Sequence, residues 1–386
     1  MAMSSITRAE YLQEIRKQYQ GASKAQKGGL LAAAQVVTGM HRKSLIRQLR
    51  VPVHRSTLRQ KPHIRGPKLI YDRTFHDALL ICWHAENDIC AERLQPFLPK
   101  LVPKLESCGE LAVDAVTKTL LTTASISTVA RHLSAAHKRS TLPLGTTKPG
   151  SLIKSQVAVR QGRWQETNPG WLESDTVAHG GDSATGIYIF TYDFIDIATG
   201  WVELEAAMGK GERATVTGLI AVTARFPFVL QGIDSDNGKE YINYQLQRYC
   251  VRQQLTFTRS RPYRKNDNAH VEQKNWEAVR KMVGYSRFDT DEQLRIMHEL
   301  YLGPLRLYLN YFQPTRKRKA KEINTATGKQ RKTYFDAKTP YQRVVEHENT
   351  SQAAKYLLTS QYNQLNPVKL LAQIRSLLDR LNRTLR

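Results

Sequence analysis

The strongest constraint on how this chain can fold lies between residues 171 and 290, where the apolar pattern alternates between strand and helix in a fixed order. WLESDTVAH (171–179), GIYIFTYDFID (186–196) and WVELEAA (201–207) read as three strands with short, Gly-containing connections. Strands joined so tightly form hairpins and pair antiparallel. A helical pattern then runs from about 212 to 225, followed by the apolar strand PFVLQGID (227–234), a helix from about 240 to 251, the strand LTFTR (255–259) and a helix from 268 to about 283. Three hairpin-linked strands followed by alternating helix and strand predict an α/β layout with a mixed sheet. That order places particular carboxylates at particular strand ends.

Charge narrows the partners. The 386 residues include 58 Lys and Arg against 34 Asp and Glu, a formal net charge of +24. A self-repelling charge of this size points to a polyanion partner, nucleic acid or an anionic membrane. Membrane is the weaker choice: mean hydropathy is −0.49, and the longest nearly apolar stretch, around Leu30 to Val37, is far shorter than the roughly 20 residues needed to span a bilayer. The N-terminus lacks the apolar core of a secretory signal, so a cytoplasmic protein is expected. Cys82, Cys90, Cys108 and Cys250 are widely spaced and read as reduced thiols. His76, Cys82, His84 and Cys90 form a possible zinc set, against which stands a plain amphipathic helix through Leu79, Leu80 and Trp83.

Five stretches follow from composition: a helix-turn-helix unit at 1–52, a second helical unit at 53–140, a linker at 141–170, the α/β core at 171–290, and a basic C-terminal region with a terminal helix at 291–386. In the first, helices are expected near 7–20, 26–37 and 41–50, the last turning Leu45, Ile46 and Leu49 inward and leaving Arg42, Lys43 and Arg47 outside. In the second, TTASISTVARHL has Ile126, Val129 and Leu133 at helical spacing, with Ser125 or Ser127 as cap and Thr128, Arg131 and His132 on the exposed face. Both have the layout of units that place a helix in the DNA major groove. Three-helix bundles with a solvated basic face would look the same.

Three acids in the core are badly explained as surface charge. Asp175 lies inside the first strand, Asp236 follows the apolar strand in DSDNGKEYIN, and Glu272 lies one turn inside the helix that begins near Asn268; 35 residues separate the last two. WLESDTVAH, DIATGW, IDSDNGKEYIN and RPYRKNDNAHVEQKN together resemble the catalytic core of insertion-sequence transposases and retroviral-type integrases, the Asp-Asp-Glu recombinases with a ribonuclease-H-like fold. The resemblance covers about 165–290. It implies Asp175, Asp236 and Glu272 as catalytic acids, and a multimer that brings two element ends together. Asp193, Asp196 and Asp234 are ranked as structural, and Asp182 as part of a hairpin turn. Three carboxylates held close raise one another's pKa, a conflict that a divalent cation removes. Hard oxygen donors suit Mg²⁺ or Mn²⁺, and two such ions can serve an in-line phosphoryl displacement. The expected reaction is donor-end cleavage followed by strand transfer into target DNA.

The loop before Glu272 offers Arg259, Arg261, Arg264 and Lys265 for phosphates and Tyr263 for stacking, with Asn268 as a cap or orienting amide. Lys274 and Lys281 lie on the Glu272 helix. Where retroviral integrases present lysines four and seven residues after the glutamate, this chain has Trp276 and Val279, so helix contacts must come from Lys274, Arg280 or Lys281. Beyond 290 the chain reads as helical to about Phe312. The run Arg316, Lys317, Arg318 and Lys319 follows as a basic loop suited to phosphates, and YFDAKTPYQRVVEH resembles a small β element. The terminal helix carries Leu370, Leu371, Ile374, Leu377, Leu378, Leu381 and Leu385 along one side, to pack within the chain or on a partner subunit. No Gly-x4-Gly-Lys-Ser/Thr loop is present, so any ATP-dependent step would need a separate ATPase. Two rivals remain: a catalytically silent, integrase-derived DNA-binding regulator, and a ribonuclease-H-like nuclease that only hydrolyses.

Overall fold

The computed structural model describes residues 5–50, 70–134, 158–159, 168–183, 185–235, 241, 244–259, 275–323 and 330–385. The chain divides into two compact units, Met1–Ile70 and Tyr71–Arg386. The first contains α1 (Ser5–Gly21), α2 (Lys24–Thr38) and α3 (Arg42–Leu49). Ser23 and Gln26 form a reciprocal capping box at the start of α2, and Gly39, at φ 66°, closes its end. Leu12, Tyr19, Leu31, Ala34, Leu45 and Leu49 make its core, while Arg42, Lys43 and Arg47 stay exposed.

The second unit opens with α4 (Arg73–Ala85), α5 (Ala91–Leu94), α6 (Leu98–Ser107), α7 (Ala115–Thr123) and α8 (Ile126–Leu133). These helices enclose Phe75, Leu79, Cys82, Trp83, Leu101 and Val129. The strands are β1 (Ala158–Val159), β2 (Trp171–Ala178), β3 (Ile189–Asp196), β4 (Val202–Met208), β5 (Gly232–Ser235) and β6 (Thr256–Arg259), in the order β1-β6-β5-β2-β3-β4. β2, β3 and β4 pair antiparallel, whereas β5 and β6 join parallel on the far side of β2. This is the ribonuclease-H-like mixed sheet. Between its strands run α9 (Glu212–Thr223) and α10 (Tyr244–Arg252), and a π-helical turn, Asn275–Arg280, leads into α11 (Lys281–Val283).

The C-terminal region contains α12 (Asp291–Leu302), α13 (Pro304–Phe312), the hairpin β7 (Arg318–Ile323) and β8 (Gln330–Tyr334), then α14 (Pro340–Glu346), α15 (Gln352–Gln364) and α16 (Pro367–Arg383). The basic run is therefore a β-ribbon rather than a loop. The segment from Tyr334 only closes that ribbon before turning helical, because Thr339 and Gln342 cap α14 reciprocally with Pro340 at its first turn. The strand expected from 227 begins at Gly232, since its partner β2 starts only at Trp171 and earlier residues have no ladder to join. Gly232 is required there: a Cβ would overlap the Trp171 ring.

Edge strand β4 is closed by side chains instead of another strand. The Asn310 amide donates to Val202 O at 2.8 Å and accepts from Val202 N at 2.9 Å. Arg225 donates to Leu204 O, and His298 Nε2 lies 2.7 Å from Ala206 O. Such capping removes a template for strand addition. Beside it, buried Glu203 accepts from Arg306 at 2.7 and 2.9 Å and from Trp201 Nε1 at 2.8 Å, with Arg225 Nε 3.3 Å away.

The leucines of α16 pack within the chain: Leu370, Leu371, Ile374, Leu377 and Leu381 are buried in the main core, while Val368 touches the core of α4–α8. Polar bonds weld the same junction, from Tyr308 to Ala85 O, Gln313 to Glu86 O, Arg93 to Pro314 O and Lys104 to Asn363 O. Among the described residues, no helix is long and apolar enough to cross a membrane.

At this junction Glu86 is fully buried, and neither carboxyl oxygen has a hydrogen-bond partner among the described residues. Burial pushes its pKa well above the usual carboxylate range, opposed by the charge of Arg93. The folded chain thus keeps a proton that the unfolded chain releases. The associated stability is full below the ordinary carboxylate pKa and is lost as pH rises through the raised value. Glu86→Gln should raise Tm by about 2 °C or more at pH 8, the shift expected from roughly 1 kcal/mol in a domain of this size, and by less at pH 5. Equal shifts at both pH values in thermal melts would disprove the account.

Candidate active site

β2 is bonded on both sides, which fixes Asp175 in the middle of the sheet. Asp175 is half-buried and pairs in register with Asp193 on β3. Its Oδ1 accepts from the Thr176 backbone N–H at 2.7 Å. Ser174, one residue earlier, pairs with Ser235, the last described residue before Asp236. Alternation along the strand puts Glu173 on the same face as Asp175, and Glu173 is paired with Asp234. Glu173, Asp193 and Asp234 are all buried, and Asp234 accepts from Thr258 Oγ1 at 2.5 Å. Asp182 is exposed in its turn.

Three side chains hold this strand; Tyr241 and His179 were not singled out in the sequence, and Arg280 was expected to face DNA instead. Buried Tyr241 donates to Asp175 O at 2.8 Å and accepts from Thr176 Oγ1 at 3.0 Å, tying the chain just beyond Asp236 to the strand of Asp175. Arg280 donates to Ala178 O at 2.9 Å, linking β2 to the turn that continues from the Glu272 region. His179 Nε2 lies 2.8 Å from Thr191 Oγ1, which in turn is 2.8 Å from Tyr301 OH. Burial, helped by the charge of Arg280, pulls the His179 pKa down to about 3, so the ring is neutral and acts as a tie. Only the position of Tyr241, five residues after Asp236 in an otherwise polar segment, could have flagged it.

Asp196 is occupied by bonds to its own turn. Fully buried, it accepts from Gly170 N and Thr199 N at 2.7 Å each and from Thr199 Oγ1 at 2.6 Å, which shapes the turn of DIATGW. Burial raises its pKa, opposed mainly by these bonds.

Asp236 and Glu272 lie outside the described residues, as do Arg261, Tyr263, Arg264, Lys265, Asn268 and Lys274. Among the described residues, no three carboxylate, His or Cys groups gather closely enough to hold a metal ion. Asp175 contributes a hard oxygen donor at the surface of the sheet, of the kind that Mg²⁺ and Mn²⁺ favour. The zinc alternative fails on geometry: Cys82 is buried, whereas exposed His84 bonds Asp88 at 2.8 Å, and the set does not gather around one point.

Several expected DNA contacts need correction. Thr128 is buried, its backbone N–H bound to the cap Ser125 at 3.2 Å. His132 is half-buried against Tyr71, Phe75 and His76, and burial with the neighbouring His76 and Arg131 charges lowers its pKa. The cause is helical phase: at about 100° per residue His132 falls between Thr128 and Val129 on the inner face. Ser127, Ala130 and Arg131 face outward, and Ile126 is exposed in the first turn. Arg259 is buried in β6. Lys317 is also turned inward, donating to Ile197 O at 2.8 Å and to Ala198 O; burial pulls its pKa down to about 8, with Arg343 adding to the effect. Val279 is buried and Arg280 is bound to β2, so neither reaches outward. Lys281 is exposed and donates to Asn87 O at 3.3 Å, and Arg316, Arg318 and Lys319 are exposed.

No protein-family model matches the chain. The uncharacterized protein y4rM of Sinorhizobium fredii (strain NBRC 101917 / NGR234) is 36% identical over 324 residues, 83% of this chain and 90% of the relative. Among solved structures, the HTLV-2 integrase catalytic core in complex with magnesium is 12% identical with a TM-score of 0.29, covering 42% of this chain and 91% of that one. The catalytic core of BIV integrase is 15% identical with a TM-score of 0.31, covering 48% and 97%. At scores this low the fold rests on strand order and pairing instead.

Tyr241→Phe removes both bonds that tie the segment beyond Asp236 to β2. It should cost about 1–2 kcal/mol, seen as a lower denaturant midpoint with an unchanged slope. An unchanged midpoint would show that the bridge contributes nothing.

Proposed function

The chain belongs to the family of the Sinorhizobium fredii protein y4rM, and we propose that it is a DNA transposase or integrase, cutting the ends of a mobile element and joining them to target DNA. The observation that carries this reading is the half-buried Asp175 on the central strand of a ribonuclease-H-like sheet, with the C-terminal end of β5 beside it. Asp175, Asp236 and Glu272 would hold one or two Mg²⁺ or Mn²⁺ ions. When bound, such ions activate an attacking oxygen and stabilise the leaving one. Tyr241, Arg280 and His179 keep β2 and its neighbours in register around that point. The attacking groups are water at the donor end and then the freed 3′-hydroxyl, so no covalent enzyme intermediate is required.

The charge of +24 suits a substrate that is itself a polyanion. Arg42, Lys43 and Arg47 on α3, Arg131 on α8, and Arg316, Arg318 and Lys319 at the ribbon supply phosphate contacts from described positions. Arg261, Arg264, Lys265 and Lys274, with Tyr263 and Asn268, would add contacts nearer the acids. Two element ends must be held together, which calls for a homo-oligomer in a synaptic complex. The setting is the bacterial cytoplasm and its nucleoid DNA, with a separate ATPase wherever target choice uses ATP.

The test is a strand-transfer assay with oligonucleotides from the ends of the encoding element, in Mg²⁺ or Mn²⁺. Asp175→Asn should lower joining by at least about 10³-fold, the effect of losing several kcal/mol of transition-state stabilisation, while leaving end binding intact. Cleavage without joining in the wild type would favour a nuclease, and specific binding without any reaction would favour a regulator. If about 6 to 10 phosphates are neutralised, affinity for duplex ends should fall by roughly 10³ to 10⁵ between 50 and 200 mM salt; a nearly salt-independent affinity would contradict phosphate-led binding.

A further inference from the structure

The ribbon of β7 and β8 carries more than charge. Tyr334 is 40% exposed and the following Phe335 is 54% exposed, and each ring has a cation against it: the Arg316 guanidinium lies 4.4 Å from the Tyr334 centroid and Lys319 Nζ 5.8 Å from that of Phe335. Lys332, on the second strand, is also exposed. Two features present this set outward. The register shifts between Arg318 and Ala320, so Lys319 is the extra residue of a bulge. Without the bulge, alternation would turn Lys319 to the side of the inward-turned, half-buried Lys317. The root of the ribbon is also fixed, because Lys317 plugs the carbonyls of the β3–β4 turn and Arg343 grips Thr315 through Oγ1 at 2.8 Å and O at 2.5 Å.

Cations alone would serve any duplex, since every duplex presents phosphates. Exposed ring faces are different. In a duplex the bases are already stacked on one another, so aromatic side chains gain base contacts where bases are unpaired. Arg stacking on a ring and base stacking on it are compatible, because a ring has two faces. We propose that the ribbon is a binding platform for single-stranded DNA, taking unpaired bases on Tyr334 and Phe335 and the adjoining phosphates on Arg316, Arg318, Lys319 and Lys332. The proposal rests on the reading of DNA as substrate, and it adds a preference for unpaired over blunt-ended DNA at this surface.

Fluorescence anisotropy with the full chain tests this in chelator, without divalent metal, so that binding is separated from chemistry. The probes are a labelled 20-nucleotide oligo-dT and a blunt duplex of the same length. Tyr334→Ala with Phe335→Ala should weaken oligo-dT binding at least about tenfold and duplex binding by less than about threefold. Tyr334→Phe with Phe335→Tyr, which keeps both rings, should restore oligo-dT affinity. Equal losses on both probes, or no loss on oligo-dT in a double variant whose melting matches the wild type, would overturn the proposal. Failure of strand transfer with the oligo-dT effect intact would overturn the catalytic reading alone.

Discussion

Everything in the core hangs on the two-sided hydrogen bonding of β2. An antiparallel neighbour fixes its register on one side and a parallel neighbour on the other, and a slip by one residue would turn Asp175 to the opposite face. The sequence around β2 enforces that register twice. Trp171 lies against the bare backbone of Gly232, which locks the start of the strand to β5. His179, just beyond its end, reaches Thr191 on β3 and through it Tyr301 on α12. Between these points the strand that carries the carboxylate is held in place, as its proposed role of holding a small hard cation requires.

Charge placement in the unit follows a second logic. Lys317, Arg343, Arg306 and Arg225 are all cations that a surface reading would assign to solvent or to phosphates, yet each is used to satisfy backbone carbonyls or a buried carboxylate. Desolvating them is costly, and several bonds per side chain offset that cost. The turn of DIATGW shows the pattern at its densest: Asp196 draws in the N–H groups of the turn from one side while Lys317 and Arg343 take its carbonyls from the other. The C-terminal region is tied to the sheet through this turn.

The succession of strands along the chain and the first three helices were legible because hairpins, caps and apolar periodicity are local properties. What escaped the sequence was side-chain destination. Nothing local distinguishes half-buried Lys317 from exposed Arg316 and Arg318; the carbonyls of the β3–β4 turn draw it inward, and a basic run does not announce such a partner. His132 turns inward because its angle around α8 falls between those of Thr128 and Val129, a phase that residue-by-residue polarity does not show. Glu86 was invisible for the opposite reason, since only tertiary packing takes a carboxylate next to a helix end fully out of water.

The closed edge of β4 has a consequence for assembly. Strand addition is the simplest way for two sheets to become one, because it needs only an unoccupied row of amides and carbonyls. Here the Asn310 amide imitates the neighbouring strand at Val202, and Arg225 and His298 occupy the carbonyls that follow. Copies of this chain therefore cannot fuse their sheets across that edge. Any strand pairing between copies would have to use another edge, such as β1 at the far side of the sheet.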